Sequence, residues 1–308
     1  MNRLVRPVVT RRDVLAGLAA LVVTRARLAR ADAATQVLGR FGTTYLHDAE
    51  HRPRAFNVEL AADAIDGRAI LPGAVFSFNA VVGERTAAFG FEKSVVLRNR
   101  MLAEGTGGGT CQVASTLHAA ALLAGLTVIS RSPHSRPSAY IRMGLDATVA
   151  YPSIDLKLQN PGPERLTLRA RAVRGAIDVW LEGAGPRPDV TVTSEILERT
   201  PFPRTIERDP RVPGFEVHVK AHGIPGYRVQ RTRVASSADG NTRRETHVDL
   251  YEPTPEALLV APDFDVARLD GGGPDDMPAP VVRDEVGALR PVLVQLRPSP
   301  RVTLDNRS

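Results

Sequence analysis

The sequence predicts an α+β protein, with a mixed helix-and-sheet core over residues 40–160 and an antiparallel β-rich region over 161–262. Three observations carry this expectation. Two segments before Asn160 have helical periodicity and lie between short strand-like runs. After Asn160 apolar and polar residues alternate around hairpin turns. The composition is that of a globular chain, 43% hydrophobic and 24% charged, and 308 residues suffice to bury a sizeable core.

The first helix is expected over 55–66, where Phe56, Leu60 and Ala64 form a stripe, Asn57 is the N-cap and Gly67 follows the end. Leu71, Pro72 and Gly73 form a turn. A strand over 74–79 follows, with Phe76 and Phe78 on one face. Runs at 93–97 and 101–103 flank Arg98, Asn99 and Arg100 as a hairpin. A glycine-rich loop over 104–110 leads into a second helix over 112–124, ended by Gly125 and apolar nearly all round in its second half, as in a buried helix. Strands are expected at 126–130, 138–142 and 147–151, with a polar turn at 131–137 and alternation at 154–159. Beyond Asn160, 166–173 and 176–181 form a hairpin around Arg174 and Gly175. A strand at 215–221 precedes a second hairpin, 227–236 and 243–250, turning at Asp239 and Gly240. Residues 263–308 read as a Pro/Gly-rich linker and tail.

The formal charge of +6 with pI near 10 invites a nucleic-acid reading. Locating the charge removes it. Residues 1–31 hold seven arginines and a single acid, Asp13, so the remainder is formally neutral and has no electrostatic claim on phosphate. Aromatics, at 5%, are too scarce for a broad stacking platform. Residues 1–33 instead read as an export signal. Arg11 and Arg12 precede a short apolar run at 14–23, and A-x-A sites follow at 29–31 and 31–33. The paired arginines resemble a twin-arginine signal. The expected location is outside the cytoplasm, periplasmic or envelope-associated, with no membrane-spanning segment in the mature chain. The sequence assigns no oligomeric state.

One cysteine, Cys111, forbids an intrachain disulfide. It follows Gly107, Gly108, Gly109 and Thr110. Glycines permit close backbone approach and positive φ, and Thr110 is placed to cap the helix. A cysteine at a helix N-terminus meets unpaired amides and the helix dipole, which favour the thiolate. The spacing of His118 puts it about two turns, ~10 Å, along the same face as Cys111 and Ser115. That is too far for a hydrogen bond, so His118 reads as a packing residue. His134, in the turn after the next strand, is the candidate base, and Asp146 is placed to orient it. Helix cysteine, strand histidine and strand acid is the chain order of papain-like and transglutaminase-like thiol sites. No P-loop is present, because the Gly run lacks a following Lys-Ser/Thr pair. One cysteine and scattered histidines give no metal-ligand spacing, and no cofactor is implied.

Several motifs then agree in order. LPGAVFSFN at 71–79 with Val82-Gly83, GGGTCQV at 107–113, LLAGL at 122–126, His134-Ser135 and DATV at 146–149 together resemble the VanW family. The resemblance covers roughly 41–160, and the segment 215–255 is similar to the β tail that often follows such a core, ending in Tyr251-x-Pro253. It implies a bacterial cell-envelope protein of a family named from a vancomycin-resistance gene cluster, with no settled reaction. Cys111, Gln112, His134 and Asp146 match its motif positions. The twin-arginine-like leader departs from relatives that look membrane-anchored.

Two functional readings stand side by side. In the first, the protein acts on or binds peptidoglycan or its peptide stems by thiol acyl transfer, as a cysteine-dependent amidase, peptidase or transpeptidase. Cys111 is the nucleophile, His134 the base and then acid, Asp146 its orienter, and Gln112 or the helix-start amides the oxyanion donors. Gly107, Gly108, Gly109 and Ser115 border the substrate. In the second, the protein is a non-catalytic envelope binding or scaffold module, with Cys111 packed as a structural residue and a cell-wall peptide or glycan as partner.

Overall fold

The computed structural model describes residues 35–98, 101–236, 241–270, 281–284 and 301–305. The export-signal segment, the Asp239-Gly240 turn and the 271–280 linker fall outside the described residues. So do Asn99 and Arg100 of the first hairpin turn.

The architecture is α+β with strand predominating. The first sheet is antiparallel, in the order β1 (Gln36–Thr44), β9 (Ala176–Gly183), β8 (Leu166–Val173), β2 (Ala69–Ile70). Along β8 and β9 alternate residues are buried. Leu166, Leu168 and Ala170 on β8 and Ile177, Val179 and Leu181 on β9 form one face of the core. The turn between them is tight because Arg174 and Gly175 both have positive φ, 50° and 82°, as a two-residue hairpin of this hand requires.

Two helices cover that face, α1 (Arg52–Ile65) over β8 and α3 (Thr110–Leu123) over β1 and β9. A short helix, α2 (Phe78–Val82), follows strand β3 (Val75–Ser77). The α1 start differs from the expected one. Its N-cap is His51 with Pro53 in the first turn, and Asn57 is fully buried inside the helix. The Asn57 side chain bridges instead to the 92–108 region. Its amide donates to Glu92 O at 2.9 Å and Gly108 O at 3.1 Å, while its Oδ1 accepts from the Glu92 amide at 2.8 Å. The strand expected at 74–79 stops at Ser77, because the Ser77 hydroxyl caps α2 by accepting from the Ala80 amide at 3.0 Å.

Helix α3 is the centre of the molecule. From Gln112 to Leu123 every residue is buried. Val113, Ala114, Leu117, Ala120 and Ala121 pack into the sheet-one core. Ala119, Leu122 and Leu123 face the other way, onto Ile141, Leu145, Val190 and Val192. A helix enclosed on both sides is held rigidly. Truncating a fully buried leucine there, such as Leu117→Ala, is expected to cost about 2–5 kcal/mol.

The remaining strands complete the molecule. Three short antiparallel strands run β3, β7 (Lys157–Gln159), β6 (Thr127–Ser130), and β4 (Lys93–Arg98) pairs with β5 (Met101–Thr106). Beyond β9 lie two four-stranded sheets. One runs β14 (Thr242–Tyr251), β13 (Gly226–Ser236), β10 (Asp189–Thr200), β17 (Arg301–Asp305). The other runs β11 (Arg204–Arg208), β15 (Glu256–Val260), β12 (Glu216–Ala221), β16 (Val281–Asp284). Among the described residues no helix is long and apolar enough to cross a membrane.

The strands expected at 138–142 and 147–151 are absent. Only single bridges form, Ser132 with Thr148 and Ala150 with Ile154. The amides a strand would give to a neighbour go to side chains: Gly144 N–H to Tyr251 Oη at 2.7 Å, Ala147 N–H to Ser115 Oγ at 2.8 Å, Val149 N–H to Cys111 Sγ at 3.4 Å.

Candidate active site

The site is built where the start of α3 meets the 131–149 segment. The glycine run is shorter than expected, because β5 continues to Thr106 and leaves Gly107, Gly108 and Gly109 as the turn. Each of the three is sterically required. Gly107 and Gly109 have φ of 80° and 110°, where L side chains are strained. A Cβ at Gly108 would lie 2.3 Å from Val95 O. The helix N-cap is Gly109, not Thr110. The Thr110 hydroxyl turns back to donate to Gly107 O at 3.0 Å.

Cys111 is thus the second residue of the helix, and its side chain is partly exposed. Among the described residues its amide has no hydrogen-bond acceptor, as the start of a helix dictates. Sγ both accepts from Val149 N–H and donates to Val149 O, each at 3.4 Å. His134 and Asp146 arrive from the other side. The His134 Nδ1–H donates to Asp146 Oδ2 at 2.8 Å, and the His134 amide donates to the same oxygen at 2.7 Å. This leaves Nε2 for the thiol and for the Tyr140 hydroxyl, which lies 3.3 Å away.

Asp146 is a fully engaged carboxylate. Its Oδ1 accepts from Arg131 Nη2 at 2.9 Å and Tyr251 Oη at 2.5 Å. Arg131, itself 2% exposed, also pairs with Asp249 on β14. Burial works against the charged carboxyl, but the His134 bond and charge, Arg131 and Tyr251 outweigh it and hold Asp146 far below the usual carboxylate range. Burial also disfavours charge on His134. The Tyr140 phenol, Asp146 and the thiol overcome it and keep its imidazolium well above the ordinary value. Burial likewise pushes the Cys111 thiol up, and the His134 bond and charge, the Val149 amide and Arg85 more than reverse this. The two titrating groups therefore favour a thiolate–imidazolium pair.

The other expected site residues lie close but do different work. Gln112 is fully buried. Its amide hydrogens go to Thr43 Oγ1 and Thr44 O at 3.0 and 2.8 Å, and its Oε1 accepts from Arg54, so the side chain is not available as an oxyanion donor. Ser115 is equally buried. Its hydroxyl clamps Cys111 O at 2.7 Å and the Ala147 amide, which ties the helix to the 147 segment and leaves nothing for a substrate. The glycines meet the protein's own Arg85, Val95 and Arg54. His118 is a core residue as expected. Its Nε2 accepts from Arg231 at 3.1 Å, so Nδ1–H donates to Leu145 O at 2.7 Å. Burial and the two arginines hold it neutral.

Sequence reasoning missed Arg131, Tyr140 and Tyr251 as members of the site. Tyr251 was visible only as part of the Tyr251-x-Pro253 motif. A shallow depression lined by Thr193, Glu195, Gln230 and Arg244 lies on the β10–β13–β14 face and offers no nucleophile. Among the described residues no three His, Cys, Asp or Glu side chains are grouped to hold a metal ion.

The fold and site define an α+β domain that presents a cysteine, a histidine and a buried carboxylate around one helix start. Residues 53–181 match the family described as VanW like protein. It is 37% identical over 147 residues to the uncharacterized protein YoaR of Bacillus subtilis (strain 168), covering 48% of each chain. It is 34% identical over 112 residues to the vancomycin B-type resistance protein VanW of Enterococcus faecalis (strain ATCC 700802 / V583), covering 35% of this chain and 41% of that one. The chain thus spans about half the length of the curated relatives it matches. A solved IgA1 protease G5 domain is similar at 22% identity and a TM-score of 0.18, over 25% of this chain and 93% of that one.

Proposed function

We propose that the protein is an exported cell-envelope enzyme that cleaves or exchanges an amide in peptidoglycan peptide stems through a thioester on Cys111. The observation that carries this reading is the arrangement of His134, with Nδ1 fixed on Asp146 and Nε2 left for the thiol. The envelope assignment is supported by the match of residues 53–181 to the VanW family, by the name of the Enterococcus faecalis relative and by the leader.

The thiolate attacks the amide carbonyl carbon. The C–N bond breaks and the leaving nitrogen takes the Nε2 proton of His134, giving a thioester and a neutral imidazole. Water or an amine then attacks the thioester. Its proton goes to Nε2, the C–S bond breaks, and the thiolate–imidazolium pair is restored. In this reading the amide of Cys111, which starts the helix, donates to the developing oxyanion.

Incubating the folded protein with purified muropeptides and measuring intact mass tests this. An acyl adduct on wild type that is absent from Cys111→Ala supports it. Equal turnover by both proteins refutes it. The binding-module reading rests on one observation, the two hydrogen bonds between Sγ and the Val149 backbone, which also describe a packed structural thiol. For that reading, alkylation of Cys111 would await denaturation.

A further inference from the structure

Two guanidinium groups flank the loop that leads into Cys111, and the acceptors they bond among the described residues are neutral. Arg54, in the first turn of α1, donates to Gln112 Oε1 at 2.8 Å, and its Cζ lies 6.0 Å from the centre of the Tyr140 ring. Arg85, in the loop after α2, donates to Gly83 O and Asn79 Oδ1, each at 2.7 Å, and its Cζ lies 5.4 Å from the centre of the Phe78 ring. Among the described residues its Nε is buried without a hydrogen-bond partner. Among the described residues neither arginine has a carboxylate in ion-pair contact. Asp155, the carboxylate that acts on Arg85 after the Cys111 thiol, is taken by Ser77 Oγ and the Asn79 amide.

The glycine turn sets both stems in place. A Cβ at Gly107 would sit 2.5 Å from Arg85 Cβ, and one at Gly109 would sit 3.0 Å from Arg54 O. Both side chains are half-buried, as is Cys111. Holding two cations in part-desolvated positions against neutral partners is costly. The Cys111 sulfur acts on both through its charge but hydrogen-bonds to neither, and their planar forks match a carboxylate, which accepts two parallel bonds.

We propose that Arg54 and Arg85 form a carboxylate-binding pair beside the thiol, so that the substrate is a peptide whose scissile amide lies within a residue of a free carboxylate. The last amide of a peptide stem has this form. The reaction part of the inference rests on the thiol reading above. The binding part does not.

Paired alkylation rates test it on the intact protein. Iodoacetate and iodoacetamide react with the same sulfur and differ in charge, so their rate ratio cancels changes in thiolate content. Arg54→Gln and Arg85→Gln are each expected to lower the iodoacetate-to-iodoacetamide ratio about threefold or more, and the double variant about tenfold. Arg54→Lys and Arg85→Lys keep most of the preference, which separates charge from a merely structural role. An unchanged ratio in a folded double variant overturns the pair. If the folded protein reacts with neither reagent, the thiol reading fails and calorimetry on Cys111→Ala decides the pair alone. A muramyl pentapeptide is expected to bind about tenfold more tightly as the free acid than as its C-terminal amide, a difference of about 1.4 kcal/mol. Removing both arginines is expected to erase that difference. Equal affinity, or no binding of either peptide, overturns the proposal.

Discussion

The Tyr251 hydroxyl donates a 2.5 Å hydrogen bond to Asp146 Oδ1 from a strand 105 residues further along the chain. It also accepts from the Gly144 amide at 2.7 Å. One phenol thus fixes both the carboxylate that holds His134 and the turn just before it. Tyr251→Phe keeps the ring and removes both bonds. The expected loss is about 1.5–3 kcal/mol in denaturant unfolding, because the acceptor is charged and buried. The pH midpoint of Cys111 alkylation is expected to rise in the same variant, since a less well-held Asp146 supports the imidazolium less.

Alkylation of wild type by iodoacetamide is expected to have its midpoint below the ordinary thiol value of about 8.5. The sign follows from the pair: His134 is held charged and the thiol pKa is lowered. His134→Gln removes the cation and is expected to move the midpoint back up. A wild-type midpoint at or above the free-thiol value would contradict the assignment.

Asp146→Ala leaves Arg131 buried with Asp249 as its one remaining carboxylate, and strips His134 of its acceptor. Breaking a buried pair on one side is expected to cost about 3–5 kcal/mol. Equilibrium unfolding near neutral pH measures it. The Asp146 contribution is present above the unfolded carboxyl pKa of about 3.9 and is lost as pH falls toward its lower folded value. The gap between wild type and Asp146→Ala is therefore expected to stay constant with respect to this group down to about pH 4.

His118 has the opposite chemistry from His134. Its folded-state pKa is depressed, so unfolding takes up a proton below the unfolded value of about 6.5. Its contribution is complete above that pH and is lost as pH falls. Relative to His118→Gln, wild type is expected to lose about 1.4 kcal/mol per pH unit below about pH 6.5, until the folded-state value is reached. Parallel pH profiles for the two proteins would refute this.

Gly108→Ala and Gly67→Ala separate steric collision from backbone conformation. A Cβ at Gly108 meets the Val95 carbonyl at 2.3 Å, whereas at Gly67, with φ of 71°, nothing lies within 4 Å. The first is expected to cost about 1–3 kcal/mol and to slow Cys111 alkylation by displacing the turn. The second costs about 1 kcal/mol of left-handed strain and leaves alkylation unchanged.

What the sequence revealed depended on whether a residue's role was local. The α3 helix was legible because its apolar run and flanking glycines act within a few residues. The Arg174-Gly175 hairpin was legible for the same reason. Strand β1 was missed because Gly39 and Gly42 interrupt its pattern. Gly39 is there because a Cβ would collide with the backbone of α3, 2.3 Å from Ala124 N. Strand β10 was missed because its burial alternates clearly only near Val190 and Val192. The 138–151 segment carried strand-like residues, yet its amides are claimed by Ser115, Cys111 and Tyr251, and no local pattern announces that. Cys111, His134 and Asp146 were found by type and order. Arg131 and Tyr251 act through partners more than a hundred residues away, and Tyr140 through His134 across an irregular turn, so all three left little local trace.

The link from Arg131 to both Asp146 and Asp249 has a consequence for when the site becomes competent. A chain made from its N-terminus places the thiol, the imidazole and the acid early, but the strand bearing Asp249 and Tyr251 comes roughly a hundred residues later. Until that strand docks, Asp146 lacks one of its donors and Arg131 lacks its second carboxylate. On the thiol reading proposed above, reactivity is thereby deferred to the finished fold.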